Sequence, residues 1–188
     1  MIFLEKFNNE KNIRFSSFRF ALETSYKRKL KNIVETGTSR GKVKFFFFRK
    51  FNWKDGMSTL MFAEYAKYIN GKLSTCDISK DNIKNAKSFT SHLSKFVNFY
   101  IDDSVNFLKN FQEKIDLLYL DSFDGHDSKR ASEHQLNEAK ASIGKLHLNS
   151  LVLLDDKGAK TNLSIDFFKK NGFKVINETT NQILLSKL

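Results

Sequence analysis

Apolar residues fall along this chain in two alternating rhythms. Over 15–30, Phe15, Phe18, Ala21, Leu22, Tyr26 and Leu30 recur at intervals of three and four, the spacing of one helix face. Lys27, Arg28 and Lys29 then sit where a helix C-terminus favours positive charge. A short run over 32–35 predicts a strand, and the alternation continues as helix 58–69 closed by Gly71, strand 73–77, helix 81–93, strand 96–101 and helix 105–111. Strand 115–120 is almost wholly apolar, as a central parallel strand covered on both faces would be. Helix 130–146, strand 148–154 and helix 163–171, stopped by Gly172, follow; strands 173–177 and 182–186 are close enough for a hairpin. Strands alternating with helices imply a parallel sheet with right-handed crossovers, to which the hairpin adds one antiparallel strand. The expected architecture is a three-layer open α/β sandwich.

Composition narrows the picture. At 188 residues and 40% apolar content the chain suits one well-buried core, so a single domain over 1–188 is expected. A lone cysteine, Cys76, excludes an internal disulfide; set in Leu73-Ser74-Thr75-Cys76, it is expected to be a buried, inert thiol in a reducing compartment. No stretch approaches the ~20 apolar residues that span a bilayer, and the expectation is a soluble, cytoplasmic protein. The net charge of +11 is local: residues 1–54 hold 14 Lys/Arg against 4 Asp/Glu. A basic helical segment over 1–31 and the residues after it could attract phosphates, anionic lipid or an acidic substrate, or form a solvated face.

The chemistry concentrates at strand ends. Ile33-Val34-Glu35-Thr36-Gly37-Thr38 begins a glycine loop that stops short, and Asp55-Gly56-Met57-Ser58-Thr59-Leu60 resumes it into a helix. Glu35 ends the first strand, Asp77 the second, Asp102-Asp103-Ser104 follow the third, Asp121 ends the next and Asp155-Asp156 the fifth. Any one of these could simply cap a helix. The full set lies where open α/β sheets bind ligands, beyond the carboxyl ends of the strands.

From about residue 32 onward the chain resembles class I S-adenosylmethionine-dependent methyltransferases, which implies a mostly parallel, seven-stranded Rossmann-like sheet with a C-terminal antiparallel hairpin strand. The resemblance implies that Glu35, Gly37 and Thr38, with Gly56 and Ser58, form the cofactor loop. It further implies that Asp77 binds the ribose hydroxyls, that Asp103 and Ser104 contact the adenine, and that Asp121 borders the cofactor. A nicotinamide-binding protein is the competitor, but an uninterrupted G-x-G-x-x-G is absent. Asp116-Leu117-Leu118-Tyr119-Leu120-Asp121-Ser122 and Leu151-Val152-Leu153-Leu154-Asp155-Asp156 are similar to metal-dependent O-methyltransferases of the catechol and macrocin types. That likeness implies magnesium held by Asp121, Asp155 and Asp156, which would lower the pKa of an acceptor hydroxyl. Asp124 or His126, just beyond Asp121, would serve as the base.

The departure from the family pattern is the insertion over 39–55, dense in Phe, Lys and Arg. It is open to three readings: a lid over the site, a surface for nucleic acid in which aromatics stack on bases, or an extra strand buried against the N-terminal helix. The function expected is methylation of a hydroxyl on a small molecule or sugar. The alternatives are an RNA or DNA methyltransferase, or a non-catalytic binding module on the same fold.

Overall fold

The computed structural model describes residues 1–45, 48–51, 53, 57–123 and 127–187, with the backbone path alone for 42–45 and 48–51. Its helices are α1 (Phe15–Lys27), α2 (Ser58–Tyr68), α3 (Lys80–Phe89), α4 (Ser104–Asn110), α5 (Ser128–Ser142) and α6 (Asn162–Lys170). The strands are β1 (Asn32–Thr36), β2 (Lys42–Phe45), β3 (Phe48–Phe51), β4 (Lys72–Asp77), β5 (Val97–Ile101), β6 (Ile115–Leu120), β7 (Leu146–Asp155), β8 (Phe173–Glu178) and β9 (Gln182–Lys187). Among the described residues, seven strands form the main sheet in the order β5-β4-β1-β6-β7-β9-β8. All neighbours are parallel except β9, which runs antiparallel to both β7 and β8. The seven-stranded Rossmann-like architecture with its closing hairpin is therefore present. The order reverses between β1 and β6, which places the switch point in the middle of the sheet.

Two-residue periodicity sorts the strand residues into two cores. Ile33, Leu117, Tyr119, Leu151, Leu153 and Leu184 face α1 and α2, while Val34, Leu118, Leu120, Val152, Leu154 and Leu185 join the other cluster with Leu108, Ala139 and Phe168 of α4, α5 and α6. At the centre of the first core Phe18 meets Phe62 edge-on at 5.5 Å and Tyr119 at 5.3 Å. This trio joins α1, α2 and β6.

Local competition explains where elements depart from the periodicity. The helix expected over 81–93 breaks at Thr90, whose hydroxyl bonds back to the carbonyl of Ala86 (2.7 Å), and continues as a 3-10 turn over Ser91–Phe96. The helix expected over 130–146 stops at Ser142, which bonds back to Ala139, so β7 starts two residues early at Leu146. A 3-10 turn over Ile2–Phe7, unanticipated by the periodicity, buries Leu4 and Phe7. Within the insertion, β2 and β3 pair antiparallel as a separate two-stranded ribbon rather than joining the main sheet. Among the described residues no helix is long and apolar enough to cross a membrane.

The aromatic trio makes a direct prediction. Phe18→Ala should lower stability by about 3–5 kcal/mol, the range for emptying a fully buried phenylalanine site. Urea unfolding would measure it, and a loss below about 1 kcal/mol would mean that α1 is not docked through this ring.

Candidate functional site

Register aligns the site. Thr36 pairs with Cys76 of β4 and with Leu120 of β6, and Leu120 pairs with Leu154 of β7. The residues that follow, Asp77, Gly37, Asp121 and Asp155, therefore form one row along the carboxyl rim of the sheet. Asp155 in turn lies opposite Gln182 of β9. The Gly37 amide donates to the carbonyl of Cys76 (2.9 Å) and the Asp121 amide to that of Thr36 (3.0 Å), which locks the row. Gly37 has φ +80°, and a Cβ there would come within 2.2 Å of the Asp121 carbonyl oxygen. Only glycine fits.

Glu35 is fully buried beneath this row. Its Oε1 accepts from Ser58 (2.6 Å), and its Oε2 accepts from Thr59 (2.7 Å) and Thr75 (2.6 Å). Thr75 gives its one hydroxyl proton to Glu35, so Thr38 is the donor in the 2.8 Å contact between the two threonines. The Ser39 amide donates to Thr59 (2.8 Å). One carboxylate thus ties the end of β1, the middle of β4, the first turn of α2 and the loop that follows Gly37. Burial pushes the Glu35 carboxyl up to about 7, against the lowering effect of its three hydroxyl donors.

A cavity of about 710 Å³, within the range of small-molecule sites, opens over the row. Gly37, Thr38, Asp77, Asp103, Ser104 and Asp121 line it; Glu35 and Ser58 lie behind the lining. Asp77 accepts from the Ser79 amide (2.8 Å) and the Asn82 side chain (3.1 Å), and Asp103 caps α4 through the Asn106 amide (2.9 Å). Ser104 Oγ lies 2.9 Å from His134 Nε2 and 3.2 Å from Ser122 Oγ, and Ser122 donates to the buried Glu138 (2.6 Å). His134, for which the chain pattern offers no context, therefore belongs to the cavity wall. Cys76 also borders the cavity, but burial pushes its thiol up to about 12, so it stays protonated.

Asp121, Asp155 and Asp156 bring one carboxylate oxygen each to within 4.8 Å of one another, close enough for a shared ion. Their oxygens already have donors from this chain. Arg14 Nε is shared between the two oxygens of Asp155 (2.7 and 2.9 Å), and its Nη2 donates to Asp156 Oδ1 (2.9 Å). Lys160 Nζ reaches Asp156 Oδ2 (3.1 Å) and Asp121 Oδ1 (3.4 Å). Tyr119 donates to Asp121 Oδ2 (3.2 Å), and Gln182 donates to Asp155 Oδ1 (2.7 Å). Asp156 holds a left-handed φ of +54°, which an aspartate tolerates. Enclosure and the repulsion of Asp155 push the Asp121 carboxyl well above the usual carboxylate range, against the pull of Lys160. Burial works against the charges of Arg14 and Lys160, yet their carboxylate partners outweigh it and hold both pKa values above the ordinary. With the cationic groups of Arg14 and Lys160 already bonded to these acids, a divalent ion would enter against their repulsion, so the donor set as folded does not fit one.

Of the residues singled out from the chain pattern, Gly37, Thr38, Asp77, Asp103, Ser104, Asp121, Asp155 and Asp156 share one cavity. Gly56, Asp124 and His126 lie outside the described residues. Arg14, Lys160 and Gln182 were missed. The signals available were the spacing of four between Asp156 and Lys160, and the place of Gln182 at the start of a strand paired with β7.

Glu35 generates a pH prediction. Its folded pKa of about 7 lies above the ordinary 4.5, so the stability it favours is complete below about pH 4.5 and is lost as pH rises through 7. The loss should amount to roughly 3 kcal/mol. Thermal unfolding of wild type and Glu35→Gln between pH 5 and 8 checks this: the difference between them should depend on pH, and parallel curves would contradict it.

A protein-family profile described as "Methyltransferase domain" matches residues 53–157. No curated protein matches the chain. Among solved structures, the Podospora anserina methyltransferase PaMTH1, with S-adenosylhomocysteine bound, superposes with a TM-score of 0.66 at 15% identity, over 90% of this chain and 76% of that one. An rRNA methylase from Streptococcus thermophilus gives 0.60 at 15% identity, over 96% and 99% of the two chains. The N-methyltransferase NodS from Bradyrhizobium japonicum gives 0.61 at 13% identity, over 92% and 94%. At such identities the likeness concerns the fold, which is that of class I methyltransferases. With the profile covering more than half its length, on a sheet whose switch-point rim carries the glycine and acids in register, the chain belongs to the methyltransferase-domain family.

Proposed function

We propose that the protein transfers a methyl group from S-adenosylmethionine to a hydroxyl of a small molecule or sugar. The observation that carries this reading is the row of Asp77, Gly37 and Asp121 on the wall of one cavity at the switch point. A sulfonium nucleoside carries positive charge and no phosphate, so carboxylates suit it where helix N-termini would suit a pyrophosphate. Asp77 would hold the ribose hydroxyls, Asp103 and Ser104 the adenine, and Asp121 the neighbourhood of the cofactor's amine. Gly37 and Thr38 would let the backbone approach, with Glu35 and Ser58 fixing that loop from behind and Gly56 assigned to its second half on the chain pattern alone.

Bound there, S-adenosylmethionine supplies an activated methyl group for direct displacement by an acceptor oxygen. The protein's own part is alignment: strand ends in register hold the acids along one wall of the cavity. Asp124 or His126 is assigned the acceptor proton on its place in the chain. The basic composition of residues 1–54 favours a second reading, a nucleic-acid acceptor. That reading requires binding that weakens steeply with salt.

Isothermal titration with S-adenosylhomocysteine tests the cofactor assignment. Wild type should bind, and Asp77→Ala should bind about 10–100-fold more weakly, the loss of one charged hydrogen-bonding partner. Radiolabelled methyl transfer to a panel of hydroxylated acceptors then tests the reaction. Absence of binding to wild type would overturn the reading.

A further inference from the structure

We infer that Arg14 and Lys160 take the place of a divalent ion at this rim, so that the three acids are positioned by the chain's own cations and methyl transfer runs without a metal. The inference rests on the reading that the rim is the reaction site. It goes further by naming what holds the acids there.

Occupancy of the donor set is the first ground. Each of the six oxygens of Asp121, Asp155 and Asp156 accepts a hydrogen bond from Arg14, Lys160, Tyr119 or Gln182. An ion-binding carboxylate cluster leaves oxygens directed at a common vacant centre. Here two cationic groups are bonded to the oxygens that would face it.

The second ground is that neither cation is free to leave. Lys160 is only 4% exposed and follows Asp156 by four residues, so its ammonium is enclosed beside the acids it pairs with. Arg14 immediately precedes α1, which is docked on the sheet through Phe18, and the side chain of Ser17 contacts Gln182. Its guanidinium spans Asp155 and Asp156 with a planar fork that a lysine could not reproduce. Charge gives the third ground: two fixed cations already lie among the three acids, and a doubly charged ion brought beside them would be repelled by both and would in turn repel a neighbouring sulfonium.

Both side chains act as positioning residues, and manganese tests this independently of turnover, because it prefers the same oxygen donors as magnesium and its free-ion paramagnetic resonance signal is lost on binding. Wild type at about 0.1 mM Mn²⁺, the weak end of carboxylate affinities, should leave the signal unchanged with or without S-adenosylhomocysteine. Lys160→Met and the double variant Arg14→Met/Lys160→Met, checked for folding by circular dichroism, should each acquire one bound ion per chain. One equivalent of Mn²⁺ bound by wild type, or no gain in a folded double variant, would overturn the inference. If the variants do not fold, the wild-type titration decides. Calorimetry on the same EDTA-treated wild type separates the two proposals: S-adenosylhomocysteine should bind with affinity unchanged by magnesium within about two-fold. A magnesium requirement would overturn the metal-free assignment. No binding under either condition, with the manganese signal unchanged, would remove the cofactor reading and leave the assignment of Arg14 and Lys160 intact.

Discussion

A single buried carboxylate organises the rim. Glu35 has no solvent contact, and an ionised carboxylate in such a place costs several kcal/mol unless hydrogen bonds replace its lost hydration. Ser58, Thr59 and Thr75 supply three, and they come from two consecutive elements, α2 and β4, that lie 23 to 40 residues beyond Glu35. The position of α2 relative to β1 and β4 is therefore set by chemistry as well as by packing. Every residue of the cavity row follows from this arrangement, because Gly37 stands two residues beyond Glu35 and the register of β4 and β6 is counted from it.

How much of this was legible beforehand depends on the range of the interaction involved. The strands and helices follow from local periodicity, and two of their limits moved where a serine or threonine bonded back to its own helix, as Thr90 and Ser142 do. The acids at strand ends were visible for the same reason, since a strand's last residue can be found by counting. Side-chain direction was harder. Glu35 looks from its position like a cofactor contact, yet its oxygens turn inward to hydroxyls contributed by Ser58, Thr59 and Thr75. Arg14 was beyond reach altogether: its partner lies 141 residues away, and no local pattern marks an arginine at a helix start as the counter-ion of two aspartates.

The same arginine alters the meaning of the basic N-terminal third. Counted as composition, residues 1–54 suggest a surface for an anionic partner. In the fold some of that charge is directed inward or bonded along the surface: Arg14 lies against Asp155 and Asp156, Lys6 against Glu64, Arg19 against Glu23, and Arg28 against the Asn149 carbonyl and Ser186. A charge count over one segment overstates the field that an approaching molecule meets when counter-ions such as Asp155 and Asp156 come from outside it.

The interruption between the two halves of the glycine loop has a consequence for how such a chain can diversify. Gly41, with φ +69°, sits so close to Phe89 that a Cβ would enter its ring, and Trp53 meets Phe7 edge-on at 6.4 Å. Both ends of the excursion are thus moored to the scaffold, while the loop halves communicate through the Glu35 carboxylate rather than through the intervening peptide. Lengthening a moored excursion adds little closure entropy. Evolution could rewrite its length and character while the row of acids along the sheet stays unchanged.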